Sequence, residues 1–371
     1  MFNKKTAYYQ MSEVVIERIN TPETWITELD GHYGGLFMDC EWLESISNPD
    51  RNTVYLKFLY DNRRVALLGG IETNIRGENM KQLFSFSGIS FDTTDHSVIE
   101  KSKRALYNYA RGKGYKRISL KAYDNHSYIP LKTRFFREYE RAEYVFDLQG
   151  DKEDIRKRFD PDIRRRARKA KREGVTIRKS NSAELTEHLF GLLEDTYKTR
   201  LSKGYGDYVY LFLPFFDREE INKLLKNGYA SFYCAEREGE ILSIQLIYTC
   251  RKRAYGLLMG NTGEGYKTGA TALLFYEVTG MFKDAGYLYY NFGGVQRSPN
   301  HRGLRKFKDS LGAGIVRSSE EVTNFIGPPL NLLNPLLETK HFLENVRVGP
   351  WRVKKMMVNV IDMVIRKRDR P

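Results

Sequence analysis

The stretch NFGGVQRSPNHRGLRKFKDSLGAGIVR, Asn291 to Arg317, carries the residues best placed to do chemistry. It sets Phe307 and Lys308 between glycine turns, directly after the apolar run YLYYNF. Glycines at a strand end let a backbone pass close to a ligand, and loops at such ends carry function. Lysine is a compact point charge, and Arg305 and Lys306 make its surroundings cationic. That combination suits acyl transfer to an amine. Such a reaction needs two substrates held together, a route for the amine proton, and a cation or N–H group where oxyanion charge develops. Spacing alone equally allows a surface loop with a snorkelling lysine.

Other chemistries find little support. No GxSxG nucleophile elbow and no GxxxxGK[ST] phosphate loop occurs. GNTGEGYKTG, Gly260 to Gly269, is glycine-rich with different spacing. It reads either as a phosphate-binding turn at a helix start near Thr268 or as a plain turn. Cys40, Cys234 and Cys250 are scattered, and the six histidines form no ligand pair, so neither a disulfide framework nor a metal is expected.

The elements that must position these residues read as a repeat. VYLKFLYDNRRVALLGGIET and ASFYCAEREGEILSIQLIYT are each strand, charged turn, strand. Each is followed by a helix, a glycine stop (Gly114, Gly286) and a strand, at nearly constant offset. The reading is an α/β (α+β) chain of two similar domains in tandem, 1–150 and 151–330, with a C-terminal helical extension over 331–371. The net charge of +14 points to anionic partners. Residues 151–180 hold thirteen Lys or Arg against six Asp or Glu. A helix is predicted from Asp162 to Arg172, stopped by Gly174, with Ile163, Ala167 and Ala170 on its buried face. The tail from Trp351 is a basic amphipathic helix, which either packs on its own domain or lies on an anionic membrane. No apolar run is long enough to span a bilayer and no signal peptide is visible, so the expected location is cytoplasmic, with peripheral contact at the inner membrane face as an option.

On these residues the chain resembles the Fem family of peptidoglycan aminoacyltransferases. The family pattern, roughly GxxxYDFxG, a loop, then G[IL]xxFKxxFG, is matched by Gly286, Tyr290, Phe292, Gly294, Gly303, Leu304, Phe307, Lys308 and Gly312. DIRRRARKAKREGVTI is similar to the family's central basic segment, and Phe37 and Trp42 to its first-domain entry. The resemblance implies two GNAT-like domains. It implies transfer of an aminoacyl group from aminoacyl-tRNA to an amine of a phosphate-bearing cell-wall precursor, with no further cofactor. It makes Phe307 and Lys308 the catalytic pair, with Arg164, Arg165, Tyr290, Asn291, Gly294 and Trp42 as substrate-binding candidates. Asn291 stands where the family has aspartate, which puts any proton-handling role there in question. Two alternatives stay open: an acyl-CoA-dependent N-acyltransferase on an amino sugar or lipid-linked amine, using YKTGAT (Tyr266 to Thr271), and a non-enzymatic basic adaptor for RNA or membrane.

Overall fold

The computed structural model describes residues 13–345 apart from 33, 75–79, 127–132, 134, 203–212, 295–301, 323 and 328–329. The amphipathic tail expected from Trp351 lies outside the described residues.

The first half runs β1 (Val15–Ile19), α1 (Pro22–Leu29), α2 (Cys40–Ile46), β2 (Arg51–Tyr60), β3 (Arg63–Asn74), β4 (Lys81–Ser85), β5 (Ser90–Phe91), α3 (His96–Gly112) and β6 (Arg117–Leu120). The middle runs β7 (Arg137–Asp147), α4 (Lys152–Arg158), α5 (Pro161–Arg172), β8 (Thr176–Ser180), α6 (Glu184–Ser202) and α7 (Arg218–Lys226). The rest is β9 (Ala230–Arg237), β10 (Glu240–Cys250), β11 (Arg253–Asn261), α8 (Gly263–Thr268), α9 (Ala270–Asp284), β12 (Tyr289–Gly294), α10 (Arg302–Ser310), β13 (Gly314–Val322), β14 (Asn324–Phe325) and α11 (Asn334–Asn345).

Among the described residues these strands form two seven-stranded sheets. The first is ordered β1-β2-β3-β4-β6-β14, with β5 on β3; the second is β13-β7-β12-β11-β10-β9-β8. The repeat seen in the sequence is real in space. Each half has a hairpin (β2–β3, β9–β10), one parallel pair (β4–β6, β11–β12), and a helix (α3, α9) crossing between the parallel strands. Both hairpins close through two residues at positive φ, Asp61-Asn62 and Glu238-Gly239, the conformation that matches strand twist. The sheets also trade elements across position 150. β7 precedes it yet joins the second sheet, and β14 returns to pair with β6 of the first.

The predicted basic helix is α5. Its N-cap is Asp160, whose carboxylate accepts the Asp162 amide, so Asp162 falls in the first turn. Ile163, Ala167 and Ala170 are its buried residues and pack against α9. Gly174 turns to φ +82 at its end. Near Gly263 the helix begins earlier than the sequence indicated: Thr262 caps α8, and Gly269 at φ +83 separates α8 from α9.

One aromatic-rich core spans both halves. It joins Trp25, Phe37, Trp42, Phe86 and Tyr123 to Phe216, Phe232, Tyr248 and Tyr255. Trp42 stacks on Phe216 at 5.2 Å and Phe37 meets Tyr255 edge-on at 4.8 Å. Arg51 adds a polar tie, reaching Glu220 at 2.6 Å and the Phe215 carbonyl at 3.1 Å. The two halves therefore share one dry interior.

Candidate active site

The site is built where β11 and β12 part. Their parallel pairing covers only Arg253–Tyr255 against Tyr289–Asn291. β12 then breaks register with β7 between Asn291 and Gly294. Gly293 sits in this irregularity at φ +74, a conformation that costs glycine little. The break turns three successive carbonyls, of Phe292, Gly293 and Gly294, toward one point.

Lys308 fills that point. The Phe-Lys segment is a helix, α10, and its Lys308 is buried. The Lys308 ammonium donates to the Phe292 carbonyl at 2.5 Å and to those of Gly293 and Gly294 at 3.1 Å each. An ammonium has three N–H donors, and all three are engaged. Burial pushes Lys308 down to about 7; nearby Glu143 works against that shift and Arg141 adds to it. Phe307 is half-buried and meets Phe275 edge-on at 5.6 Å, which fixes α10 to the apolar cluster formed by α5, α9 and β12. At the end of α10, Gly312 takes φ +76 with the Arg158 carbonyl pressed against it; a Cβ there would lie 2.1 Å from that oxygen.

Behind the bulge lies a buried polar network that joins the two halves. Asn291 donates one amide hydrogen to Asp124 at 2.8 Å and the other to Glu143 at 2.9 Å, while its carbonyl accepts the Gly293 amide at 2.8 Å. Glu143 also accepts from the Tyr255 hydroxyl at 2.8 Å, Arg141 at 2.7 Å and the Asp124 amide at 2.8 Å. Asp124 accepts from the Tyr289 hydroxyl at 2.6 Å and the Leu36 amide at 2.9 Å, with His126 3.6 Å away. Burial pushes Asp124 up, but His126, Tyr289 and Asn291 outweigh it and hold the carboxyl below its usual range. Next to this network, Arg253 on β11 reaches across to the first half. It donates to the Gly34 carbonyl at 2.5 Å and to Asp39 at 3.0 Å. Burial raises Asp39 to about 6 against the pull of Arg253 and Arg251.

The candidates from sequence thus distribute as follows. Phe307, Lys308, Asn291 and Gly294 come together. Tyr290 points to the other face of β12, donates to Gln245 at 2.7 Å, and packs against Phe282 and Phe292. Trp42 is fully buried in the shared core and reaches the site through other rings, Phe37 and Tyr255 among them. Arg164 and Arg165 ride on α5, and neither is among the partners of Lys308. Arg165 pairs with Asp162. The start of α5 is tied to the end of α10, Asp160 N to Ser310 O at 3.0 Å, so its cations begin beside the site. Sequence reasoning missed Asp124, Glu143, Tyr255, Arg141, Asp39 and Arg253. A charged residue inside an apolar strand end, as in ISLKAYDNH, is the one signal that marked Asp124.

Residues 156–309, which contain α5, β8–β12 and all but the last residue of α10, match the family model described as "Acetyltransferase (GNAT) domain". That stretch of the chain is a GNAT-type acyltransferase domain. It has the fold of FemX, whose crystal structure superposes with a TM-score of 0.62 at 13% identity, over 87% of this chain and 99% of that one. The structure of L-PGS from Bacillus licheniformis matches with a TM-score of 0.50 at 19% identity, over 86% of this chain and 96% of that one. No curated protein matches this acyltransferase. Among the described residues no helix is long and apolar enough to cross a membrane.

Proposed function

We propose that this acyltransferase moves an aminoacyl group from aminoacyl-tRNA to an amine of a peptidoglycan precursor or a related phosphate-bearing acceptor. The observation that carries the reading is the seating of the Phe307-Lys308 helix on the bulged end of β12, at the point where two parallel strands part. The acceptor amine attacks the ester carbonyl; a C–N bond forms, the C–O bond to the ribose breaks, and the ribose oxygen takes a proton. Lys308 is the cation beside that carbonyl. To meet a developing oxyanion it gives up one of its two longer bonds, to Gly293 or Gly294. Asn291 has no basic atom that could take the amine proton. Its neighbours Asp124 and Glu143 are the carboxylates at the junction. The cations of α5, including exposed Arg165 and Arg168, suit phosphates of either substrate, so binding is expected to weaken with salt.

The helix start that would hold the pyrophosphate of acyl-CoA is covered. Ala270 and Thr271 are buried, and a Cβ on Gly269 would lie 2.9 Å from the Arg166 carbonyl of α5. An anion needs those N–H groups open, which favours the tRNA donor. The deciding test gives purified protein a precursor extract with either labelled aminoacyl-tRNA or labelled acetyl-CoA, alongside Lys308→Ala. Label moving from tRNA and lost in the variant supports the reading. Label moving only from acetyl-CoA overturns it.

A further inference from the structure

β11 and β12 run parallel, so their C-terminal ends point the same way. β12 ends at Gly294, where Lys308 sits. β11 ends at Asn261, and the next residue, Thr262, caps α8. α8 and the Lys308 site therefore share one rim of the second sheet. α5 borders the same rim, since the Lys169 ammonium donates to the Lys267 carbonyl of α8 at 3.2 Å.

Tyr266 on α8 stands out from this rim, 59% exposed. Its hydroxyl accepts from the Asn261 amide at 3.4 Å. Asn261 is itself fixed, because its carbonyl accepts from Ser243 at 2.6 Å and from Thr271 at 2.7 Å. The ring thus faces water while its hydroxyl is tethered. Cations lie beside it. On α5, Arg165, Arg168 and Arg172 are exposed and share one side of the helix at spacings of three and four. The acids nearby already have partners: Asp162 holds Arg166 at 2.7 Å and Glu173 holds Lys169 at 3.6 Å. Among the described residues no ion pair engages Arg168, Arg172 or Lys267.

We infer that this α5–α8 face docks RNA, with an unpaired base stacked on Tyr266 and backbone phosphates on Arg168, Arg172 and Lys267. An open aromatic ring among unpaired cations is what a single strand needs, since every base has a π-face and every nucleotide a phosphate. An anionic membrane would suit the charge but not the surface, because α5 exposes no large apolar side chain that could enter lipid. The inference rests on the proposed tRNA donor and gives it a place: its unpaired acceptor end would run along one rim from Tyr266 to Lys308.

Fluorescence anisotropy of the full chain with a fluorescein-labelled RNA hairpin ending in unpaired CCA tests it. Vesicles with and without phosphatidylglycerol are the comparison. Tyr266→Ala should weaken RNA binding by roughly fivefold or more, whereas Tyr266→Phe, which keeps the ring, should not. Lys267→Gln and Arg172→Gln should each reduce the slope of log affinity against log salt concentration by about one. RNA binding that is equal in wild type, Tyr266→Ala and Lys267→Gln would overturn the inference. Binding to anionic vesicles without binding to RNA would overturn it in favour of a membrane. The donor reading fails separately. If label moves only from acetyl-CoA while RNA binding still needs Tyr266, the donor assignment falls and the docking face stands. If label moves from aminoacyl-tRNA while both variants bind RNA like wild type, the face falls and the donor stands.

Discussion

The Nζ of Lys308 stands 2.5 Å from the carbonyl oxygen of Phe292, sixteen residues earlier in the chain. That contact, with the two to Gly293 and Gly294, makes the lysine both the clasp of the β12 bulge and the cation of the site. Lys308→Met should therefore lose transfer activity and also some stability, about 1–3 kcal/mol for three carbonyls left without donors. The pH dependence separates the two roles. Lys308 is lowered to about 7 from an ordinary 10.5, so between those values the unfolded chain binds more protons than the folded one. Stability then rises with pH across that window. Urea unfolding at pH 6.5 and 9.5 should show the advantage of wild type over Lys308→Met growing at the higher pH. An advantage that shrinks would mean that the three carbonyls, not burial, govern the ammonium. Activity that depends on the charged lysine should fall as pH rises through about 7.

Asn291 accounts for the departure from the Fem pattern. With Asp124 and Glu143 each accepting one of its amide hydrogens, an aspartate here would be a third carboxylate in a buried pocket and would leave both neighbours short of a donor. Asn291→Asp should cost roughly 2–4 kcal/mol near neutral pH. Like charges and burial raise the new carboxyl. A group raised in the folded state loses its contribution as pH rises through the folded value, so the variant's melting temperature should drop between pH 5 and 8 far more than that of wild type. Parallel melting curves would refute this account.

The local parts of this architecture were legible. Gly114, Gly174 and Gly286 all take positive φ where the sequence put helix stops, and the apolar face of α5 is Ile163, Ala167 and Ala170 as its periodicity required. Glycine punctuation drew attention to Phe307 and Lys308 but equally allowed a surface loop, and it was the resemblance to the Fem pattern that singled the pair out. What stayed hidden is long-range. Asn291 and Asp124 are 167 residues apart, and Arg253 and Asp39 are 214 apart. Glu143 sits in REYERAEYVFD, a run of charges with no motif around it; the crossing of β7 into the second sheet buries it. Trp42 read as a binding aromatic because an entry motif contains it. In the folded chain it fills the core shared by both halves.

The bond between Arg253 and Asp39 ties β11 to the first half, and both groups are buried. Breaking a buried pair from one side strands the other charge. Asp39→Asn and Arg253→Met should each destabilise by about 3–5 kcal/mol, and the double variant by clearly less than their sum. A double-mutant cycle read by urea denaturation gives the coupling. Additive losses would mean that the pair does not hold the junction.

Gly312 tests whether the fold, rather than the lysine alone, makes the site. Its φ of +76 disfavours any side chain, and a Cβ would press within 2.1 Å of the Arg158 carbonyl. Gly312→Ala therefore has to move either α10 or the end of α4, at a cost of roughly 2–4 kcal/mol. Because Lys308 sits on α10, four residues before Gly312, a shift of α10 pulls its ammonium off the carbonyls of β12. Activity should then fall further than stability loss alone explains, under conditions where the variant is fully folded by circular dichroism. A folded Gly312→Ala protein with wild-type activity would show that the placement of α10 against α4 is not what aligns Lys308.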